Sequence, residues 1–189
     1  MIKIDTGDLK NVLAASIDGF GLKKYEYLMD AVQKSDVSGD PEFQRIFNGY
    51  YKVRRNEVWR KKFYDLFETV RNSNPLPSFD AVVTDLYQAT GNVEASFASK
   101  LLASVDKDMP IWDRRVGRSL NLKIKGASRE ERLADAKRVY QEVRDTYDGF
   151  LGSEKGRAFI AEFDRLIPEQ YRGISAVKKF DFYLWAKAL

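Results

Sequence analysis

Cysteine and histidine are both absent from the 189-residue chain. The first absence removes disulfides, thiolate zinc sites and iron–sulfur clusters together. The second removes imidazole acid–base chemistry and most transition-metal ligation. Any chemistry therefore falls to carboxylates, Lys, Tyr, Ser and Thr, and neither a cofactor nor a metal is expected. Long apolar runs are missing too. Stretches such as Val12 to Ile17 and Phe180 to Trp185 fall far below the roughly 20 residues of a membrane span. The opening MIKIDTGDLK holds no signal-peptide core, so a cytoplasmic protein without a membrane partner is the expectation.

What is present suits a folded domain. The residues are 44% hydrophobic and 32% charged, a globular balance. A chain of this length fits one domain, residues 1–189, and buries about 70% of its unfolded surface without covalent staples. The net charge of +4 is compatible with a polyanionic partner, although where the charge sits matters more than its sum.

Helical periodicity dominates, and no segment alternates with period two, so the expected fold class is all-α with about nine helices. A first helix is predicted from Asp8 to Ile17 behind Thr6, ending at Gly19 and Gly21, and a second from Leu22 to Ser35. Asp40-Pro41-Glu42 has the cap, the first-turn proline and the acid that open a third. From Asn56 to Arg71 the residues Trp59, Phe63, Leu66, Phe67 and Val70 form one apolar face. Ser78 caps a helix over Phe79 to Thr90 that ends at Gly91. Asn92 is placed to cap the next, through Val105, and Asp113 one through Leu120. Ser128 with Glu131 makes a capping box for a helix to about Tyr147, and two more run over Glu154 to Leu166 and Ser175 to Leu189.

The informative stretch is Thr90 to Leu122, TGNVEASFASKLLASVDKDMPIWDRRVGRSLNL. A helix end and a glycine turn lead to a helix carrying Ala95, Phe97, Ala98 and Leu101. Then come a connector and Met109-Pro110-Ile111-Trp112-Asp113, with Val116 and Arg118 beyond. This stretch resembles the core of the helix-hairpin-helix DNA glycosylases, in the form seen in adenine DNA glycosylases and their endonuclease III-like relatives. The resemblance implies a multi-helix orthogonal bundle with its hairpin core at about residues 79–122, without an iron–sulfur cluster. It places Asp113 on the family's catalytic aspartate. It places Ser96 where a lysine would make a Schiff-base lyase, which implies a monofunctional, water-using enzyme; Lys100 stands one turn further on. Gly91 and Asn92 fall in the hairpin that holds a DNA phosphate. Asn92 and Glu94 occupy the positions of its two glycines, and a carboxylate there would repel phosphate, unless the register slips so that Gly91 supplies the turn.

An aspartate suits this chemistry for a physical reason. Cleaving an N-glycosidic bond builds positive charge on the sugar, which a fixed carboxylate stabilises. As an N-cap alone, Asp113 would be worth about 1 kcal/mol. Two basic groups offer phosphate contacts: Arg114, Arg115, Arg118, Lys123 and Lys125 after Asp113, and Lys52, Arg54, Arg55, Arg60, Lys61 and Lys62 beside Tyr50 and Tyr51. With Lys100 among the candidates, DNA held by backbone contacts is the expected partner. The plain reading of such clusters is a solvated helix face, and of Tyr50, Tyr51, Trp59 and Trp112 the core. Three functions stay open: a monofunctional DNA glycosylase, a non-catalytic nucleic-acid-binding module on the same scaffold, and an all-α interaction domain.

Overall fold

The computed structural model describes residues 8–14 and 21–187. Every regular element among them is helical. The helices are α1 Leu9–Ala14, α2 Leu22–Lys34, α3 Pro41–Tyr51, α4 Glu57–Arg71, α5 Phe79–Thr90, α6 Ala95–Val105, α7 Arg114–Leu120, α8 Arg129–Leu151, α9 Glu154–Leu166 and α10 Ala176–Lys187, with a 3-10 turn at Glu169–Tyr171 before the last. The expected cap at Thr6, the expected stop at Gly19 and the last two residues of the expected terminal helix lie outside the described residues.

Most helix starts follow from one side chain each. Asp40 accepts from the amides of Glu42 and Phe43, Asn56 from Trp59, Ser78 from Ala81, and Ser128 with Glu131 closes a capping box. These bonds satisfy amides that a helix cannot pair internally. One expected cap differs. Asn92 does not open α6; Glu94 stands at that position and makes no side-chain cap bond. Its carboxylate is spent elsewhere, as described below. The helix after Ser128 also runs past Tyr147 to Leu151, where Phe150 and Leu151 pack against the core.

Two aromatic clusters anchor the packing. In the first, Phe43 and Phe47 of α3 meet Phe63, Tyr64 and Phe67 of α4, with ring centroids 5.5 Å apart for Phe47 and Phe67. In the second, Phe180 and Tyr183 of α10 meet Phe150 and Phe159, at 4.6 Å for Phe150–Phe180 and 5.3 Å for Phe159–Tyr183. Rings at such offsets and angles add about 0.5–1.5 kcal/mol per pair beyond the area they bury. Between the clusters, α5 packs on α4, α6 and α8, and Phe79 of α5 stacks on Tyr140 of α8 at 3.7 Å. The terminal helix α10 packs against α7, α8, α9 and α1. It is buried nearly all round, from Lys178 to Leu184 and again at Ala186, so Lys178, Lys179 and Asp181 lie inside the molecule, while Lys187 at its end is exposed.

Candidate active site

The connector between α6 and α7 is clamped at one point. Ser99 of α6 donates its hydroxyl to the Trp112 carbonyl at 3.0 Å and accepts from the Trp112 amide at 2.9 Å. Both backbone groups of a buried connector residue are thus paired with a single side chain, as burial requires. The Trp112 indole tucks beneath α7 against Gly117, where an added Cβ would come within 2.7 Å of the ring. These contacts fix the residue that follows, Asp113. Its Oδ1 accepts from the Arg115 and Val116 amides at 2.8 and 2.9 Å and so caps α7. Its Oδ2 takes no part in the cap.

Asp113 faces a cavity of about 630 Å³. The start of α2, the end of α3 with the segment after it, α6, the connector into α7, and α10 together form its wall. Lys24, Lys52, Arg54, Lys100, Arg114, Arg115 and Lys178 supply cationic side chains; Asp113 and Asp181 are the carboxylates. Aromatic surface comes from Tyr50, Tyr51, Phe97, Phe182 and Trp185. Lys52 takes the left-handed conformation, φ 56°, at the end of α3, which turns the chain so that Arg54 also reaches the mouth.

The floor is unusual in its charge. Lys100 and Lys178 are only 9% and 5% exposed. The Lys178 ammonium lies 4.9 Å from the Tyr25 ring and 5.0 Å from that of Phe182, and 4.0 Å from Asp181 Oδ2. The Lys100 ammonium lies over Phe97 and Tyr51 at 5.6 and 5.8 Å. No hydrogen bond or ion pair among the described residues reaches the Lys100 ammonium. Burial lowers the pKa of both lysines; Asp113 opposes the shift at Lys100, and Asp181 and Asp113 oppose it at Lys178. Asp181 is held by the Tyr147 hydroxyl at 2.5 Å and the Ile111 amide at 3.2 Å. Burial raises its pKa to about 6 against the pull of Lys178. The Arg115 guanidinium carbon lies over the Trp185 ring at 3.8 Å, and its Nη1 is buried without an acceptor among the described residues.

The sequence-derived candidates divide by place. Asp113, Ser96, Lys100, Arg114 and Arg115 come together at the cavity. Arg118 and Lys123 are exposed and outside it, as is Asn92; Gly91 ends α5 in the left-handed conformation, φ 73°. Lys100 was expected to offer a backbone contact to DNA, but as a buried group on the floor it faces inward. Lys52 and Arg54 belong to the cavity, whereas Arg55, Lys61 and Lys62 are engaged elsewhere, Arg55 with Glu94, Lys61 with Asp65 and Lys62 with the Ala89 carbonyl. Tyr51, Trp59 and Trp112 are core as expected, Tyr51 lining the cavity as well, while Tyr50, also expected in the core, is only partly buried and forms wall.

The carboxylate expected to stand in a phosphate-binding turn lies elsewhere. Glu94 points inward, 6% exposed, and accepts from Arg55 Nη2 at 2.9 Å and Trp59 Nε1 at 3.2 Å. Its charge is balanced there rather than presented by the turn. The contribution of α10 is not read from the sequence, where Lys178 and Asp181 stand inside an apolar segment. That placement is the signal: charges on a helix without a polar face are buried, and buried charges need partners or a use. No protein-family model, curated protein or solved structure matches this chain. Among the described residues no group of three or more His, Cys, Asp or Glu side chains could hold a metal, and no helix is long and apolar enough to cross a membrane.

Proposed function

We propose that the chain is a monofunctional N-glycosylase that hydrolyses the bond between base and sugar in a nucleotide displaced from DNA. One observation carries this reading: Asp113 fixed at a helix N-terminus, facing a cavity of about 630 Å³ edged with cationic side chains. The cap holds Oδ1, so the carboxylate cannot swing away, and Oδ2 is available to the cavity. A displaced nucleotide needs stacking surface for its base, cations for its phosphates and a fixed negative charge beside C1′ as the oxocarbenium-like charge develops. The aromatic wall, Arg114, Lys52 and Arg54, and Asp113 offer these in turn. Ser96 lines the same cavity and suits the positioning of water.

The test is incubation of the purified protein with duplexes carrying damaged or mismatched bases, scored for abasic sites, beside the Asp113→Asn variant. Asparagine caps helices as well as aspartate does, so α7 is expected to persist. The expected result is base release that falls about 100- to 1,000-fold in the variant, the range for losing one preorganised electrostatic group. Salt-sensitive DNA binding without release from any duplex would instead indicate a non-catalytic nucleic-acid-binding module.

A further inference from the structure

The cavity floor has cationic donors in excess of acceptors. Lys100 and Lys178 can only donate, and Lys100 has no hydrogen-bonded or ionic partner among the described residues. The Asp181 atom nearest Lys178, Oδ2, is buried, lies 4.0 Å from the ammonium and has no hydrogen-bond partner among the described residues, so one acceptor faces two ammonium groups. A buried donor without an acceptor is costly, and a ligand that brings acceptors relieves the cost. A ligand that brings a positive charge adds to it.

Resting on the glycosylase reading, we infer that this floor selects bases that display ring carbonyl oxygens and leave as anions, the uracil and xanthine class, and rejects ring-alkylated purines, which carry positive charge. Two ammonium groups set among Tyr51, Phe97, Tyr25 and Phe182 act across a weakly screening medium. Carbonyl oxygens accept from them in the ground state. When the bond from C1′ to the base nitrogen breaks, that nitrogen keeps the electron pair and the base departs as an anion beside Lys100 and Lys178. Water adds to C1′ through its oxygen, and the proton it sheds ends on the departed base. Asp113 faces the opposite charge, on the sugar. The two lysines and the aspartate thus divide the two ends of the breaking bond.

Binding and cleavage are measured separately. Duplexes containing one 2′-fluoro-2′-deoxyuridine or one 2′-fluoro-2′-deoxyadenosine resist cleavage and report affinity alone. The expected preference for the uracil duplex is about tenfold or more, lost in Lys100→Met, while affinity for undamaged duplex is unchanged. Lys100→Gln, which keeps a neutral donor, is expected to lie between, and a thermal melt of each variant verifies folding. Base release is then followed from duplexes bearing uracil, xanthine or N7-methylguanine. Release of N7-methylguanine in preference to uracil overturns the selectivity and leaves the glycosylase reading standing. A uracil preference in binding with no release from any duplex keeps the floor as an acceptor-selective site and removes the catalysis. Equal affinity for the two fluorinated duplexes, unaffected by either substitution, overturns the inference.

Discussion

Asp181 shows how one side chain can report the state of a whole site. In the fold its carboxyl titrates at about 6, above the ordinary 3.8, because it is buried. Between those values the folded chain holds a proton that the unfolded chain has released. The stabilisation is therefore complete below about pH 4 and is lost as pH rises through about 6. Lys178, Tyr147, the Ile111 amide and Asp113 are the groups that bear on it. Urea unfolding of the wild type and Asp181→Asn at pH 4.5 and 7 should show the variant gaining relative stability as pH rises. The gain is expected to reach about 1 kcal/mol or more, since a tenfold change in proton affinity is worth about 1.4 kcal/mol. A gap that narrows would mean Lys178 keeps the carboxyl ionised throughout. Residue chemistry was legible where it was local. Asp113 could be read as a cap from the sequence because a cap depends on the next three amides. That it also faces a cavity depends on Trp112, Ser99 and α10, which no local pattern brings together.

The helices follow the same division. Caps at Asp40, Asn56, Ser78 and Ser128 stand where sequence spacing predicts them, because each is decided within four residues. Asn92 fails as a cap because a contact 39 residues distant prevails: Glu94 is drawn to Arg55 and, with it, to Trp59 on α4. That joint ties the start of α6, and with it Ser96 and Lys100, to α4. Glu94→Ala leaves the Trp59 indole nitrogen without its acceptor and Arg55 without its partner. The expected loss is about 1–3 kcal/mol in urea unfolding. A loss under about 0.5 kcal/mol, the usual range for unengaged surface positions, would show that the joint contributes nothing to the fold. The terminal helix was legible as a helix but not as part of a site, since its polar groups carry no stripe to say which way they face.

Across the whole molecule the all-α class was readable from periodicity, while the cavity was not, because it arises where separate helices meet. Its mouth carries Lys24, Lys52, Arg54 and Arg114, drawn from three parts of the chain. If duplex DNA lies across this mouth, log affinity should fall linearly with log salt, and Arg114→Ala should reduce the slope by about 0.9, one phosphate. Lys155→Ala on α9, exposed and away from the cavity, is the control and should leave the slope unchanged. An Arg114→Ala slope equal to the wild type's would move the DNA path off this face. The burial of Lys100 has a different kind of consequence. Asp113 serves α7 whether or not any reaction takes place, so a lineage without the proposed chemistry would still keep it for stability. Lys100 has no such shelter: as a desolvated cation without a hydrogen-bonded partner among the described residues it weighs on the fold, and mutation would drift it toward leucine or methionine once the cavity lost its use. The lysine, rather than the aspartate, is the position whose fate across a lineage tells working copies from retired ones.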